Sequence, residues 1–230
     1  METQDFSEFF SLFNNLNPET LEWLGSVIEE EDYGQDEVII AEDSWGKAVY
    51  FIVSGWVKVQ NRYPHKQLTV EIIGRGGFVG EIGILNQITL PSAVVALSPV
   101  KVVSISAQRF IQTLFRDPPI QHRLLRLIVS RLLECQKHHQ LYRQPAKVKM
   151  VTVLISLADK YGEITEAGTE IYLMPLEDLA DLAQLQLKEC SDIMSKLENK
   201  DLIRIDPQHH SLCLTNLKQL NHIIGKLGND

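Results

Sequence analysis

The sequence predicts an α+β chain in three parts: an N-terminal β-roll of jelly-roll type, a long coiled-coil helix and a C-terminal winged helix-turn-helix. Three observations carry that expectation. Short β-branched runs alternate with turn residues between positions 33 and 106. An apolar seam of 3.5-residue period then runs through residues 120–142. Beyond Pro145 the periodicity reads helix, helix, turn, helix and hairpin, the order of a winged helix.

Taken in order, Phe6, Phe9, Phe10, Phe13 and Leu16, then Leu21, Trp23, Leu24, Val27 and Ile28, keep helical spacing, with a break at Asn17-Pro18. Strands are expected at 38–40, 49–53, 56–59, 68–73, 93–97 and 100–105. Gly34, 44–46, Ser54-Gly55, 62–65 and 74–77 lie between them as turns. Asp117-Pro118-Pro119 closes the roll. In the next helix Leu125, Ile128, Leu132, Cys135, His139 and Tyr142 step by 3, 4, 3, 4 and 3 residues. Arg123, Arg126, Arg131, Glu134 and Lys137 flank that stripe. A seam so narrow suits a homodimer, whereas a helix lying only on its own roll would carry a broader apolar face. Val148, Val151, Leu154, Ile155 and Ala158 form a further amphipathic helix, and 171–174 a short strand. Helices at 176–183 and 187–199 and a hairpin of 202–205 with 212–214 complete the chain. The expected domains are 1–119, 120–145 and 146–230.

Composition narrows the function. With 44% apolar residues the chain can fill two cores, so disorder is excluded. No run of 18 apolar residues occurs and the N-terminus lacks a basic leader, so neither a membrane span nor a signal peptide is expected. Cys135, Cys190 and Cys213 are scattered without a C-x-x-C pair, which suits a reducing cytoplasm and gives no disulfide framework or zinc site. The net charge of −8 is uneven. Residues 1–119 hold 8 basic and 16 acidic side chains, residues 120–145 hold 5 and 1, and residues 146–230 hold 9 and 13. There is no P-loop, nucleophile elbow or metal-ligand cluster, so an enzyme is not expected.

The segment from Tyr50 to Val59, Y-F-I-V-S-G-W-V-K-V, is similar to the Y-x-I-x-x-G-x-V-x-V signature of cyclic-nucleotide-binding rolls. The segment from Gly76 to Leu85, G-G-F-V-G-E-I-G-I-L, is similar to G-D-F-x-G-E-x-x-x-L, and Pro91-Ser92-Ala93 follows at the matching spacing. With the long helix and winged helix, the chain resembles the Crp/Fnr superfamily of homodimeric, ligand-responsive transcription regulators over roughly residues 13–217.

The resemblance implies that the loop after the glycine-glutamate motif cradles a phosphate, and that the Glu accepts from a ribose hydroxyl. Gly80, Glu81 and Ser92 are kept. Pro91 stands where cyclic AMP binders carry Arg, and proline offers neither a cation nor an N–H. Ordinary cyclic AMP recognition is therefore not expected. A cyclic dinucleotide such as cyclic di-GMP would suit dispersed cations: Lys58, Arg62, His65, Lys66 and Arg75 on the roll, and Arg123, Arg126 and Arg131 on the helix. Of these, Arg62, Arg75 and Arg123 are the ligand candidates beside Gly80, Glu81 and Ser92. The alternatives are that Gly80 and Glu81 only shape the roll, and that the cations are solvated surface charges. The Fnr branch's iron–sulfur cluster needs four cysteines, and three scattered ones cannot supply it. A haem ligand from His65, His138 or His139 has no support in the pattern, so neither metal nor cluster is expected.

DNA-binding relatives begin the recognition helix with Ser-Arg-Glu-Thr and place a further Arg one turn later, reading guanine and cytosine edges. The matching positions hold Gln186, Leu187, Lys188 and Glu189, then Asp192, and the turn glycine is Gln184. Three lysines face seven acids over 176–203, a net of −4, which opposes docking on DNA. Gln186, Lys188, Lys196 and Arg204 are the candidate DNA contacts. Two functions are weighed: a Crp-like regulator of transcription, and a ligand sensor that acts by binding another transcription regulator.

Overall fold

The computed structural model describes residues 6, 9–64 and 66–225, leaving the side chains of 137 and 138 undescribed. The chain divides into two compact units, residues 1–135 and 136–230. Each is built around its own core.

The first unit opens with a 3-10 turn, Ser11–Phe13, and helix α1, Pro18–Val27. Proline at the first helical position costs no hydrogen bond, because that N–H would have had no helical partner. The Asn17 side chain accepts from the Thr20 amide at 2.8 Å and so caps the start. Strands β1 (Ile28–Tyr33), β2 (Val38–Ile40), β3 (Ala48–Ser54), β4 (Val57–Tyr63), β5 (Lys66–Ile73), β6 (Phe78–Val79), β7 (Ser92–Ala96) and β8 (Val100–Ser106) form two four-stranded sheets. One has the order β1-β8-β3-β6 and the other β2-β7-β4-β5. All recorded pairings are antiparallel, as expected of a roll.

Strand β1 was not legible as a strand. Its residues Ile28-Glu29-Glu30-Glu31-Asp32-Tyr33 are mostly acidic, and acids are depleted in strands. It is an edge strand, where charge discourages further pairing. Lys101 on the neighbouring β8 pairs with Glu30 at 2.9 Å. Two short helices were also unforeseen: α2, Glu81–Asn86, and α3, Ala107–Arg116.

The core of this unit is aromatic. Phe51 on β3 lies 5.2 Å from Phe10, 5.1 Å from Phe13 and 5.6 Å from Phe78, centroid to centroid. Helix α4, Pro118–Gln140, contributes Ile120 and Leu124 to the same core. Its seam side chains Leu125, Ile128 and Leu132 instead remain 59%, 38% and 57% exposed, and Cys135 and His139 are exposed too. The helix is thus apolar on two faces, only one of which its own roll covers.

The second unit holds the 3-10 turn Leu141–Arg143, helix α5 (Ala146–Tyr161), α6 (Leu176–Leu182), α7 (Leu187–Glu198) and α8 (Leu217–Gly225). Strands β9 (Glu163–Thr165), β10 (Gly168–Tyr172), β11 (Ile203–Asp206) and β12 (Ser211–Leu214) make one sheet of order β11-β12-β10-β9. Val151, Leu154, Leu179, Ile193, Leu197 and Leu212 fill its core. The expected 171–174 strand begins and ends earlier, and β9 pairs with it as a hairpin. Among the described residues no helix is long and apolar enough to cross a membrane.

Candidate functional site

A cavity of about 470 Å³ opens in the first unit, between the β2-β7-β4-β5 sheet and helix α2. Aliphatic side chains such as Ile40, Val59, Ile73, Val79 and Val94 form most of its wall. A volume of this order suits a small-molecule ligand, and such sites combine apolar walls with a few placed polar groups.

The glycine-glutamate motif has a geometric cause here. Gly80 has φ of 99°, and a Cβ at that position would come within 2.4 Å of the Ala48 carbonyl oxygen. Only glycine fits. This backbone turns directly into α2, whose first residue, Glu81, points its carboxylate inward and is 2% exposed. Burial raises the Glu81 carboxyl above the ordinary range, and the Arg131 guanidinium pulls it back.

Arg131 comes from α4. One nitrogen forms an ion pair with the Glu81 carboxylate, and another donates to the Phe78 carbonyl at 2.7 Å. Its guanidinium also lies 4.4 Å from the Phe78 ring centroid. Ser92 donates its hydroxyl to the Asn61 side-chain oxygen at 2.6 Å.

Of the six ligand candidates, Gly80, Glu81 and Ser92 line this cavity together, and the three arginines do not. Arg62 pairs with Glu42, and its amide faces the Pro91 carbonyl at 3.5 Å. Arg75 stacks 4.6 Å from the Phe9 ring. Arg123 donates Nε to the Leu12 carbonyl at 2.7 Å. Arg131, one of the helix arginines weighed from sequence, enters the cavity in their stead; it lies two turns beyond Arg123, and seam spacing alone does not distinguish the two. Trp45 and Lys47 also line the cavity and had no sequence signal beyond lying in the turn before β3. Trp45 is 64% exposed at the rim. His65 and the side chain of His138 lie outside the described residues. Among the described residues no group of three or more His, Cys, Asp or Glu is arranged to hold a metal.

In the second unit Gln186 precedes α7 as its N-cap residue with extended backbone, and its side chain makes no capping bond. Lys188, Lys196 and Arg204 are exposed. Lys196 shares a shallow hollow with Lys147, Lys200, Glu189 and Asp192. Leu187, at the start of α7, is 46% exposed. Gln184 in the turn between α6 and α7 has φ of 52°, a left-handed conformation held by a non-glycine residue. The Cys190 thiol is buried and pushed up to about 11, which keeps it unreactive.

The family model described as "Cyclic nucleotide-binding domain" matches residues 30–117. The chain is similar to the Cyclic AMP receptor protein of Thermus thermophilus, 22% identical over 198 residues that cover 85% of this chain and 89% of the relative. Among solved structures, FixK2 from Bradyrhizobium japonicum superposes with a TM-score of 0.74 at 21% identity, covering 85% of this chain and 96% of its own. The c-di-GMP responsive global regulator CLP of Xanthomonas campestris superposes with a TM-score of 0.66 at 20% identity, covering 87% and 100%. At such identities the structural likenesses speak for the fold alone.

Proposed function

We propose that the chain is a member of the Crp/Fnr superfamily and, within it, a homodimeric, ligand-responsive regulator of transcription whose roll cavity takes a small anionic ligand. One observation carries this reading. Helix α4 sends Arg131 to Glu81 in the cavity while its other face presents Leu125, Ile128 and Leu132 uncovered. A ligand that moves Arg131 therefore acts on the same helix that would meet a second copy.

For the ligand, a cyclic dinucleotide such as cyclic di-GMP is favoured over cyclic AMP. Pro91 withholds the cation that a single buried phosphodiester requires. A larger ligand would fill the cavity and reach its rim, where Trp45 offers a ring for stacking and Arg62 stands beside the 91–92 loop. The CLP regulator named above, which shares the fold, is described as c-di-GMP responsive. Calorimetric titration of the dimer against cyclic di-GMP and cyclic AMP tests the reading. Submicromolar cyclic AMP binding would reverse the preference, and no binding by either would remove the nucleotide class.

A second reading, that the protein works by binding another transcription regulator, is favoured by the α7 surface. Leu187 replaces a base-reading Arg, and Asp192 sits where a second Arg is expected; each lost bidentate contact forfeits about 1–3 kcal/mol of base discrimination. Selection of sites from random DNA at physiological salt separates the two. A palindromic consensus bound at nanomolar affinity supports direct reading through Gln186, Lys188, Lys196 and Arg204. No consensus supports the partner reading.

A further inference from the structure

The charges inside the cavity are not arranged as a vacant anion site. Arg131 is the one arginine in its lining among the described residues, and Glu81 already holds it. Position 91 supplies no cation. Lys47, before β3, is the other basic residue of the lining, and Glu71 on β5 is the other carboxylate. Tyr50 on β3 and Ser92 on β7 add hydroxyls, and burial raises the Tyr50 phenol further, so it stays neutral. An anion that enters deeply must therefore compete with Glu81 for the same guanidinium.

The loser of that competition cannot remain as it was. Glu81 is 2% exposed among aliphatic walls, and a buried carboxylate stripped of its ion-pair partner is strongly destabilised. It relieves that cost by taking up a proton. Glu71 adds like charge that favours the same outcome. The guanidinium is too basic to supply the proton, so solvent must. Arg131 also holds a bond to the Phe78 carbonyl and a place over the Phe78 ring, neither of which depends on Glu81.

We propose that the ligand's anionic group displaces Glu81 from Arg131, and that the displaced Glu81 becomes a neutral acid with one proton drawn from solvent. The inference rests on the reading of this cavity as the ligand site. In balance, an Arg131–Glu81 ion pair, one anion and one proton give an Arg131–anion pair and a protonated Glu81. Binding is then proton-coupled: affinity is highest below the Glu81 pKa of the free protein, falls as pH rises above it, and levels off above the Glu81 pKa of the liganded state. The alternative is that Glu81 stays ionised and accepts from a ligand hydroxyl, with no proton exchanged.

The two differ in the sign of one substitution. Full-length protein is titrated calorimetrically with cyclic di-GMP and with cyclic AMP, at mildly acidic and mildly alkaline pH, in buffers of different ionisation heat. Exchange predicts, between the Glu81 pKa of the free protein and that of the liganded one, uptake of about one proton per cavity and roughly tenfold weaker binding per pH unit. Glu81→Gln, which frees Arg131, should bind about tenfold tighter and without pH dependence, and Arg131→Gln should lose binding. Weaker binding by Glu81→Gln, or no proton uptake by the wild type, overturns the proposal. If neither nucleotide binds the wild type, the ligand class fails, yet the exchange is still read in Glu81→Gln with inorganic phosphate as the probe. Millimolar phosphate should raise the melting temperature of Glu81→Gln and leave that of Glu81→Gln with Arg131→Gln unchanged. No phosphate-dependent rise overturns the exchange itself.

Discussion

Replacing Ile128 and Leu132 by Asp should convert a dimer into well-folded monomers. Leu125, Ile128 and Leu132 are 59%, 38% and 57% exposed, so about half of each side chain remains to be buried. Full burial of such a side chain is worth about 1.5–3 kcal/mol, so half is about 1 kcal/mol. Three positions on two copies then supply about 6 kcal/mol of the association energy, and Val129 and Leu133, also exposed, widen the strip. The double substitution removes roughly 4 kcal/mol of this, about a thousandfold in dissociation constant, before like-charge repulsion is added. Neither side chain belongs to the buried core that holds Ile120 and Leu124, so the melting behaviour of the roll should persist. Sedimentation equilibrium at micromolar concentration reads the result. In a parallel pair the two copies of Cys135, exposed on the same seam, face each other, so mild oxidation should cross-link the wild type. A wild-type monomer, or a double variant that remains dimeric, would refute the reasoning.

Three further outcomes follow from backbone geometry and the phosphate loop. Gly80→Ala must adopt φ of 99° with its Cβ against the Ala48 carbonyl, and should destabilise the first unit by about 1–3 kcal/mol in urea unfolding. Gln184→Gly relieves a left-handed residue at φ of 52° and should stabilise the second unit by about 1 kcal/mol in urea unfolding; unchanged or lower stability would refute the strain. Pro91→Arg supplies a cation at the cavity loop and should strengthen cyclic AMP binding by roughly 1.5–3 kcal/mol in calorimetry, with an unchanged affinity refuting the explanation from Pro91.

The parts of the fold that could be read from sequence are those where one physical signal dominates. Strands such as β3 and β8 combine β-branched residues with turn glycines, and Gly55 shows why the turns are fixed: a Cβ there would meet the Pro99 carbonyl oxygen at 2.1 Å. β1 was hidden because its acidic residues suit an edge rather than a core. Helix α2 was hidden because six residues give too little period to detect. In the cavity, Gly80, Glu81 and Ser92 were legible from the motif, since one short stretch of chain carries its own geometry. Which distant cation would join them was not legible, because Arg123, Arg126 and Arg131 all flank the seam at similar spacing.

Which arginine meets the cavity is decided by how α4 packs, not by its charge pattern. Ile120 and Leu124 anchor the start of the helix in the aromatic core, and Arg123 donates its Nε there to the Leu12 carbonyl. Two turns later the helix has advanced about 12 Å, which carries Arg131 to Phe78 and Glu81. Arg131 is thus positioned by the same residues that leave Leu125, Ile128 and Leu132 turned away from the roll. Any rotation of α4 that reorients the uncovered seam must also move the guanidinium. Conversely, an anion that moves the guanidinium on taking it would bias the seam. Coupling of this kind needs differential contacts in the two states, and the exchange between Glu81 and an anion supplies them.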